Sequence, residues 1–502
     1  MFKFYSQKKK LKLAVITLVV LVCASPVLCK VLKTTTTLNE KLISLSKIPD
    51  DSKMFGLTVD LPKVKNLTFA TRRDDNKMSA YLNKKKGPVY PAIAKGTPVF
   101  RPDGKDIAYI VYENKKAFAV VNGKKGNVYD GVTDILYSPD SKKSVYRVQT
   151  GKKQAIVVNN KPGDLFDYIG GKVIFSPDSK KTAYTAVIGK KWYLVFNGKK
   201  IGPYDNVKEI SFSPDSKHLF YAVKKKIKWY GIRDNKKTKG YENILMPVWS
   251  DNSENLVFVA QQDKKLNVVE NGRDHTPYKT VSVPVFSPDS SRLMYPAQKH
   301  SKWVMVVDKT GGPKFDQLGP AKFSSLSEPV YVGIKRKKPV VVYKGKKQAK
   351  YDSVGMPVFS PDGRHLAYRA FSKNKWFIVC DGKKEKTYLE VRKPEFSPDS
   401  SKLAYLAFLK DKMVVVVNKK ELKPYDAIGR PHFSTDGNHI AYKVLINEKW
   451  RIVVDGVLGK AKFEGFLKNT PIVFDSNARL HAIGIREKPY TGFFRYVVEI
   501  LN

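Results

Sequence analysis

Apolar residues along this chain come in short runs separated by polar breakers. The segment Phe212 to Val223, FSPDSKHLFYAV, shows the pattern: Ser-Pro-Asp-Ser stands between two apolar runs, with a lysine directly behind it. Ser213, Pro214, Asp215 and Ser216 suit a type I turn, in which proline presets the backbone angle and the first side chain caps the bend. The HLFYAV that follows is rich in residues that favour strands. The local prediction is strand, tight turn, strand.

The phrase recurs along the chain, as VFRPDGKDIAY, LYSPDSKKSVY, IFSPDSKKTAY, SFSPDSKHLFY, VFSPDSSRLMY, VFSPDGRHLAY, EFSPDSSKLAY and HFSTDGNHIAY. VWSDNSENLVF and KFSSLSEPVYV are worn copies, and TVDLPKVKNLTF and IVFDSNARLHA read as the first and last. The opening aromatic falls at Phe100, Tyr137, Phe175, Phe212, Trp249, Phe286, Phe323, Phe359, Phe396 and Phe433, a step of 36 to 38 residues. A fixed period of this size marks a repeat fold. Inside one period, Pro357 to Val391, four strands are legible: PVFS, HLAYRAF, KWFIVCDG and KTYLEV. The turn between the third and fourth reads VNGKK at Val121 to Lys125, and Asn-Gly is a strong hairpin signal. No stretch of the period has helical spacing.

Four antiparallel strands in about 40 residues describe a β-propeller blade. The expectation is therefore an all-β chain of tandem β-propellers built from four-stranded antiparallel blades, about twelve repeats of ~37 residues. Single propellers usually close with roughly four to eight blades, so two rings are expected, six plus six most simply, with five plus seven also open. The boundaries that follow are 1–29 for a leader, 30–56 for a linker or closing strand, 57–283 for a first propeller and 284–502 for a second. The last copy stops after its third strand, FFRYVVEI, and Val31 to Ile48 contains a β-prone stretch able to supply the missing outer strand.

Ser-Pro-Asp-Gly/Ser followed by Leu-Ala-Tyr resembles the WD-repeat-like propeller repeat of TolB-type periplasmic proteins, also seen in the propellers of prolyl-oligopeptidase-like enzymes and of the tricorn protease. The resemblance spans about residues 57 to 502. It implies a propeller working as a protein-binding or scaffold module, without the amino-terminal helical domain that TolB carries. No peptidase carries over, because a hydrolase domain has no room in this chain.

The amino-terminal MFKFYSQKKKLKLAVITLVVLVCASPVLCK sets a basic stretch before an apolar run from Leu13 to Val22. That run is shorter than the roughly 20 residues a spanning helix needs, so it reads as a secretory signal, with a retained anchor as the alternative. An exported, periplasmic or cell-surface location is expected, with no membrane span once the signal is removed. Three cysteines give neither a disulfide framework nor a zinc pattern, and Cys380 reads as a core residue.

Charge is the outlying quantity: the formal net charge is +46, carried by 76 lysines and only 16 arginines. The lysines fall in turns: behind Ser-Pro-Asp (Lys142, Lys180, Lys217), before the third strand (Lys116, Lys191) and after Asn-Gly (Lys124, Lys199). Both propeller faces are then basic, and a field of this kind attracts anionic polymers and acidic proteins in a salt-dependent way. Lysine in place of arginine argues against specific phosphate or base readout, so nucleic acid is not favoured.

Five tryptophans share one blade position, each behind a lysine: Lys191-Trp192, Lys228-Trp229, Lys302-Trp303, Lys375-Trp376 and Lys449-Trp450. Such pairs can stack on sugars or bases, or can cover the gap between blades. The aspartates of the recurring corner, Asp103, Asp140, Asp178, Asp215, Asp289, Asp362, Asp399 and Asp436, come once per blade and read as turn residues, since a catalytic pair needs two different environments. No nucleophile elbow, metalloprotease motif, phosphate loop or EF-hand is present, and neither a catalytic residue, a metal nor a cofactor is assigned. The expected function is an exported, non-catalytic binding or scaffold protein of the cell envelope. The alternatives are a propeller enzyme acting on an anionic polysaccharide and a purely structural envelope protein.

Overall fold

A computed structural model describes residues 18–20, 32–34, 36–47, 52–60, 63–467, 470–487 and 491–501. Most of the expected leader, 1–29, lies outside the described residues; Leu18–Val20 pairs antiparallel with Leu32–Thr34. No helix forms among the described residues, and none is long and apolar enough to cross a membrane.

The chain forms twelve antiparallel blades of four strands in sequence order. Blade 1 spans 52–90, blade 2 92–125, blade 3 131–162, blade 4 168–204, blade 5 206–237 and blade 6 243–274. Blade 7 spans 280–311, blade 8 317–350, blade 9 353–388, blade 10 390–421, blade 11 427–458 and blade 12 465–501. Blade 12 takes its fourth strand from the other end of the chain: Thr37–Lys47 pairs antiparallel with Gly492–Leu501, from Thr37 opposite Leu501 to Lys47 opposite Gly492.

Alternation along the second and third strands assigns each side chain to one neighbouring blade. In blade 9, Leu366, Tyr368, Ala370, Phe377 and Val379 pack on blade 8, whereas Ala367 and Ile378 pack on blade 10. Both faces are buried, which is why these strands are apolar throughout. The tyrosine of the Leu-Ala-Tyr phrase recurs as a fully buried anchor at Tyr146, Tyr295, Tyr368, Tyr405 and Tyr442.

The all-β class and the four-stranded blades, twelve in number, stand as expected. Their grouping differs from six plus six. Blade 6 packs on blade 7 through Val257, Val259, Val281, Leu293 and Tyr295, and blade 12 packs on blade 1 through Leu45, Leu67, Phe69, Ile483 and Phe493. Two six-bladed rings would instead join blade 6 to blade 1. Twelve interblade cores thus follow one another without a break, and the molecule is one twelve-bladed propeller. Ring size depends on the angle between neighbouring blades, which interblade packing sets and no single repeat spells out.

First strands face the axis. Those of blades 5 and 6 approach each other, while outer edges are separated by clefts, such as one of about 440 Å³ between blades 3 and 4. Every first strand is interrupted at mid-length. A register shift does this in blades 1, 3, 4, 5, 6 and 8, and a split into two short pieces in the others. Such bulges re-aim side chains, here toward the centre of the ring.

Candidate functional site

The corner turns follow one another around one face, and most are linked to the next. Where a serine opens the corner two residues before an Asp or Asn, it is buried and its hydroxyl works in both directions: Ser213 Oγ donates to Asp215 Oδ1 at 2.6 Å and accepts from the His218 amide at 2.9 Å. Asp140, Asp178, Asp289, Asp362, Asp399 and Asp436 repeat the contact with Ser138, Ser176, Ser287, Ser360, Ser397 and Ser434. Asp103, which has arginine in the serine position, is held by Arg101 instead at 2.8 Å. The serine hydroxyl and then the Lys217 amide hold Asp215 down at about 2.

Corners also bond to one another. The Asp140, Asp178 and Asp215 amides donate to Ser179, Ser216 and Ser253 Oγ of the next blade at 2.9 to 3.0 Å. Several cations behind the corner reach across too: Lys143, Lys181 and Lys402 Nζ and Arg292 donate to carbonyls of Ser179, Ser216, Gly437 and Ser327. Lys217 does not; it is exposed and lies 3.7 Å from Asp215. Where histidine takes the bridging position, it turns back on its own blade: His218, His365 and His439 meet Asp234, Asp381 and Asp455 at 2.6 to 2.7 Å.

On the opposite face, the Lys-Trp motif lies directly across from the aromatic residue of the fourth strand. Trp192 pairs with Tyr204, Trp229 with Tyr241, Trp303 with Phe315, Trp376 with Tyr388 and Trp450 with Phe463. The acid following that aromatic residue then neutralises the lysine preceding the tryptophan: Lys191–Asp205 at 2.7 Å, Lys302–Asp316 at 2.5 Å and Lys449–Glu464 at 2.9 Å. The other carboxylate oxygen accepts an amide from the next blade, as Asp205 does from Lys226. Lys375 lacks this partner because Leu389 stands in the acid's place, and among the described residues no acid pairs with Lys228.

All five tryptophans are half-buried. Trp192 rests edge-on to Tyr168 and fills the space over Gly170, where a Cβ would stand 2.8 Å from the ring. Trp229 is covered by Lys208 at 4.3 Å, Trp376 by Arg369 at 4.8 Å, and Trp450 meets Phe466 of blade 12. The structure therefore brings the lysines and tryptophans of one blade together with its own acids and its neighbours' backbone, and leaves the tryptophans of different blades apart.

A second set of lysines has no such partners. The first lysine after the hairpin between the third and fourth strands recurs at Lys85, Lys124, Lys161, Lys199, Lys236, Lys346, Lys383 and Lys420, each exposed and with no carboxylate in contact among the described residues. The next residue is often held by an aromatic ring, as Lys125 is over Phe118, Lys237 over Tyr230 and Lys384 over Phe377.

Sequence reasoning missed the cations on the axis side. The residue after the tyrosine of Leu-Ala-Tyr is apolar or small in most blades, but is Arg147, Arg369 and Lys443 in three. A cation within an apolar strand pattern was the available signal. Arg147 meets Asp134 at 3.1 Å. Lys443 donates to the Thr470 carbonyl of blade 12 at 2.7 Å, and burial pushes its ammonium down to about 8.

Solved structures similar to parts of this chain include TolB and the Dos1 propeller. TolB from Acinetobacter baumannii is 14% identical over 54% of this chain and 76% of its own, with a TM-score of 0.24. The Dos1 propeller is 10% identical over 54% of this chain and 88% of its own, with a TM-score of 0.25. No family model matches the chain, and no curated protein matches it.

Proposed function

We propose that this propeller is an exported, non-catalytic binding or scaffold module that holds an acidic partner, a protein or an anionic envelope polymer, on the face carrying its corners and hairpins. The hairpin lysines carry the reading. Eight blades display an exposed, unpaired ammonium at the same turn position, whereas the lysines behind the tryptophans are largely neutralised on the opposite face. A rigid belt of bonded corners holds these turns, so a polyanion meets many charges at little ordering cost. The apolar run after the basic amino terminus supports export.

The repeated carboxylates support a non-catalytic role. They have the same partners from blade to blade, where an acid/base pair needs environments that differ. Binding of poly-glutamate, followed by fluorescence anisotropy from low to high salt, tests the proposal. Affinity should fall steeply with salt, and replacing Lys124, Lys199, Lys346 and Lys383 by serine together should flatten that slope. An affinity indifferent to salt would remove the electrostatic mechanism.

A further inference from the structure

Twelve near-equivalent blades provide their own controls, and the position where one departs from the rest marks a site. Blade 9 departs in the cations gathered around the break in its first strand. Beside Gly355 and Met356 lies a cavity of about 340 Å³, completed by Arg369 from the second strand and by Arg392 and Lys393 from the first strand of blade 10. No carboxylate lines it. Lys322, from the first strand of blade 8, extends its ammonium over Phe359 of blade 9 at 5.2 Å. Cations of three successive blades thus converge on one bulge.

Arg369 is fixed before any ligand arrives. Its guanidinium lies on the Trp376 ring, one of its nitrogens donates to the Val391 carbonyl at 3.3 Å, and its stem passes so close to Gly355 that a Cβ there would stand 2.6 Å from Cγ. Arg392 meets Glu390 at 2.9 Å, so one charge is offset; among the described residues, no carboxylate contacts Lys393 or Lys322. Burial, and next the neighbouring Lys393, push the Lys322 ammonium below its usual range. The equivalent cation of blade 3, Arg147, is by contrast already matched by Asp134.

We infer that this pocket on the axis side of blades 9 and 10 binds a phosphoryl dianion, held by the guanidinium forks of Arg369 and Arg392 and the ammonium of Lys393. Two guanidinium groups suit a tetrahedral oxyanion that accepts paired hydrogen bonds. The hairpin lysines attract polyanions by their number; this site adds recognition of one group. The site stands apart from that reading, because it shares no residue with the hairpin ring.

Titration calorimetry of the full chain with inorganic phosphate, and separately with phenyl phosphate, tests the site and separates free phosphate from a phosphomonoester end. Saturable binding of at least one is expected. Lys393→Ser, an exposed residue with no structural partner, should weaken it about tenfold, the loss of one charge-assisted contact. Arg369→Gln should weaken it at least as much, and Arg147→Gln should leave it unchanged. No saturation by either ligand, or equal loss in Arg369→Gln and Arg147→Gln, overturns the inference. Poly-glutamate capture by the Lys393→Ser protein should persist, so failure of the phosphate site is distinguishable from failure of the hairpin ring.

Discussion

Leu45→Ala tests whether the ring closes where the packing places its seam. Leu45 sits on the closing strand, 5% exposed, in a core shared with Val64, Leu67 and Phe69 of blade 1 and Ile483 and Phe493 of blade 12. Truncating a buried leucine costs about 2 to 5 kcal/mol, because the lost transfer energy is joined by a cavity. A cost of about 3 kcal/mol, borne by a strand that can detach without unfolding the other blades, raises the open population about a hundredfold. Native-state hydrogen exchange reads this directly: amides of Thr37–Lys47 and their partners in Gly492–Leu501 should exchange about a hundred times faster. Those of blades 6 and 7, half a ring away, should keep their rates. Acceleration below threefold in the closing strand, or equal acceleration in blade 6, would refute a closing seam between blades 12 and 1.

Four further outcomes follow from the same contacts. Ser216→Ala removes the acceptor of the Asp178 amide and should cost about 1 kcal/mol in urea unfolding, while Ser216→Gly should cost less, because Ser216 sits at a φ of 65° that glycine adopts freely. Lys443→Met should raise stability at pH 7 by about 1 to 3 kcal/mol, the desolvation penalty less a hydrogen bond. A buried base with a lowered folded pKa holds fewer protons folded than unfolded, so wild-type stability should rise between about pH 8 and 10.5 and the gap to the variant should close. Corner carboxylates have the opposite window: with Asp215 and Asp399 held at about 2, stability should be full above pH 4 and decline toward pH 2, and Asp215→Asn should shrink that decline as measured by circular dichroism. Burial pushes the Cys380 thiol up to about 12, so Ellman's reagent at pH 8 should react with it only after denaturation.

Blade chemistry was legible in the chain because it is local. Ser-Pro-Asp-Ser specifies a turn through contacts within five residues, Asn-Gly a hairpin, and the period of 36 to 38 residues the number of blades. The Lys-Trp and aromatic-acid phrases were also visible, but as separate motifs. Lys191 and Asp205 are 14 residues apart, and only strand register places them in one ion pair. The cations at Arg369, Arg392 and Lys393 were scattered letters until the bulges of two blades turned them into one cavity.

The chain by itself determined what each repeat is: four strands, two apolar faces, a capped corner and a surplus of lysine at the turns. Tertiary structure alone decided how many blades close a ring and where charge goes unanswered. Both depend on relations between blades. The interblade angle accumulates over twelve interfaces into one ring, and the pairing of Lys191 with Asp205 or Arg147 with Asp134 sets which cations remain free. FSPDSKHLFYAV accordingly names a corner and nothing more, while its Asp215 amide, bonded to Ser253 of the next blade, shows the corner to be a link in the belt that carries the display.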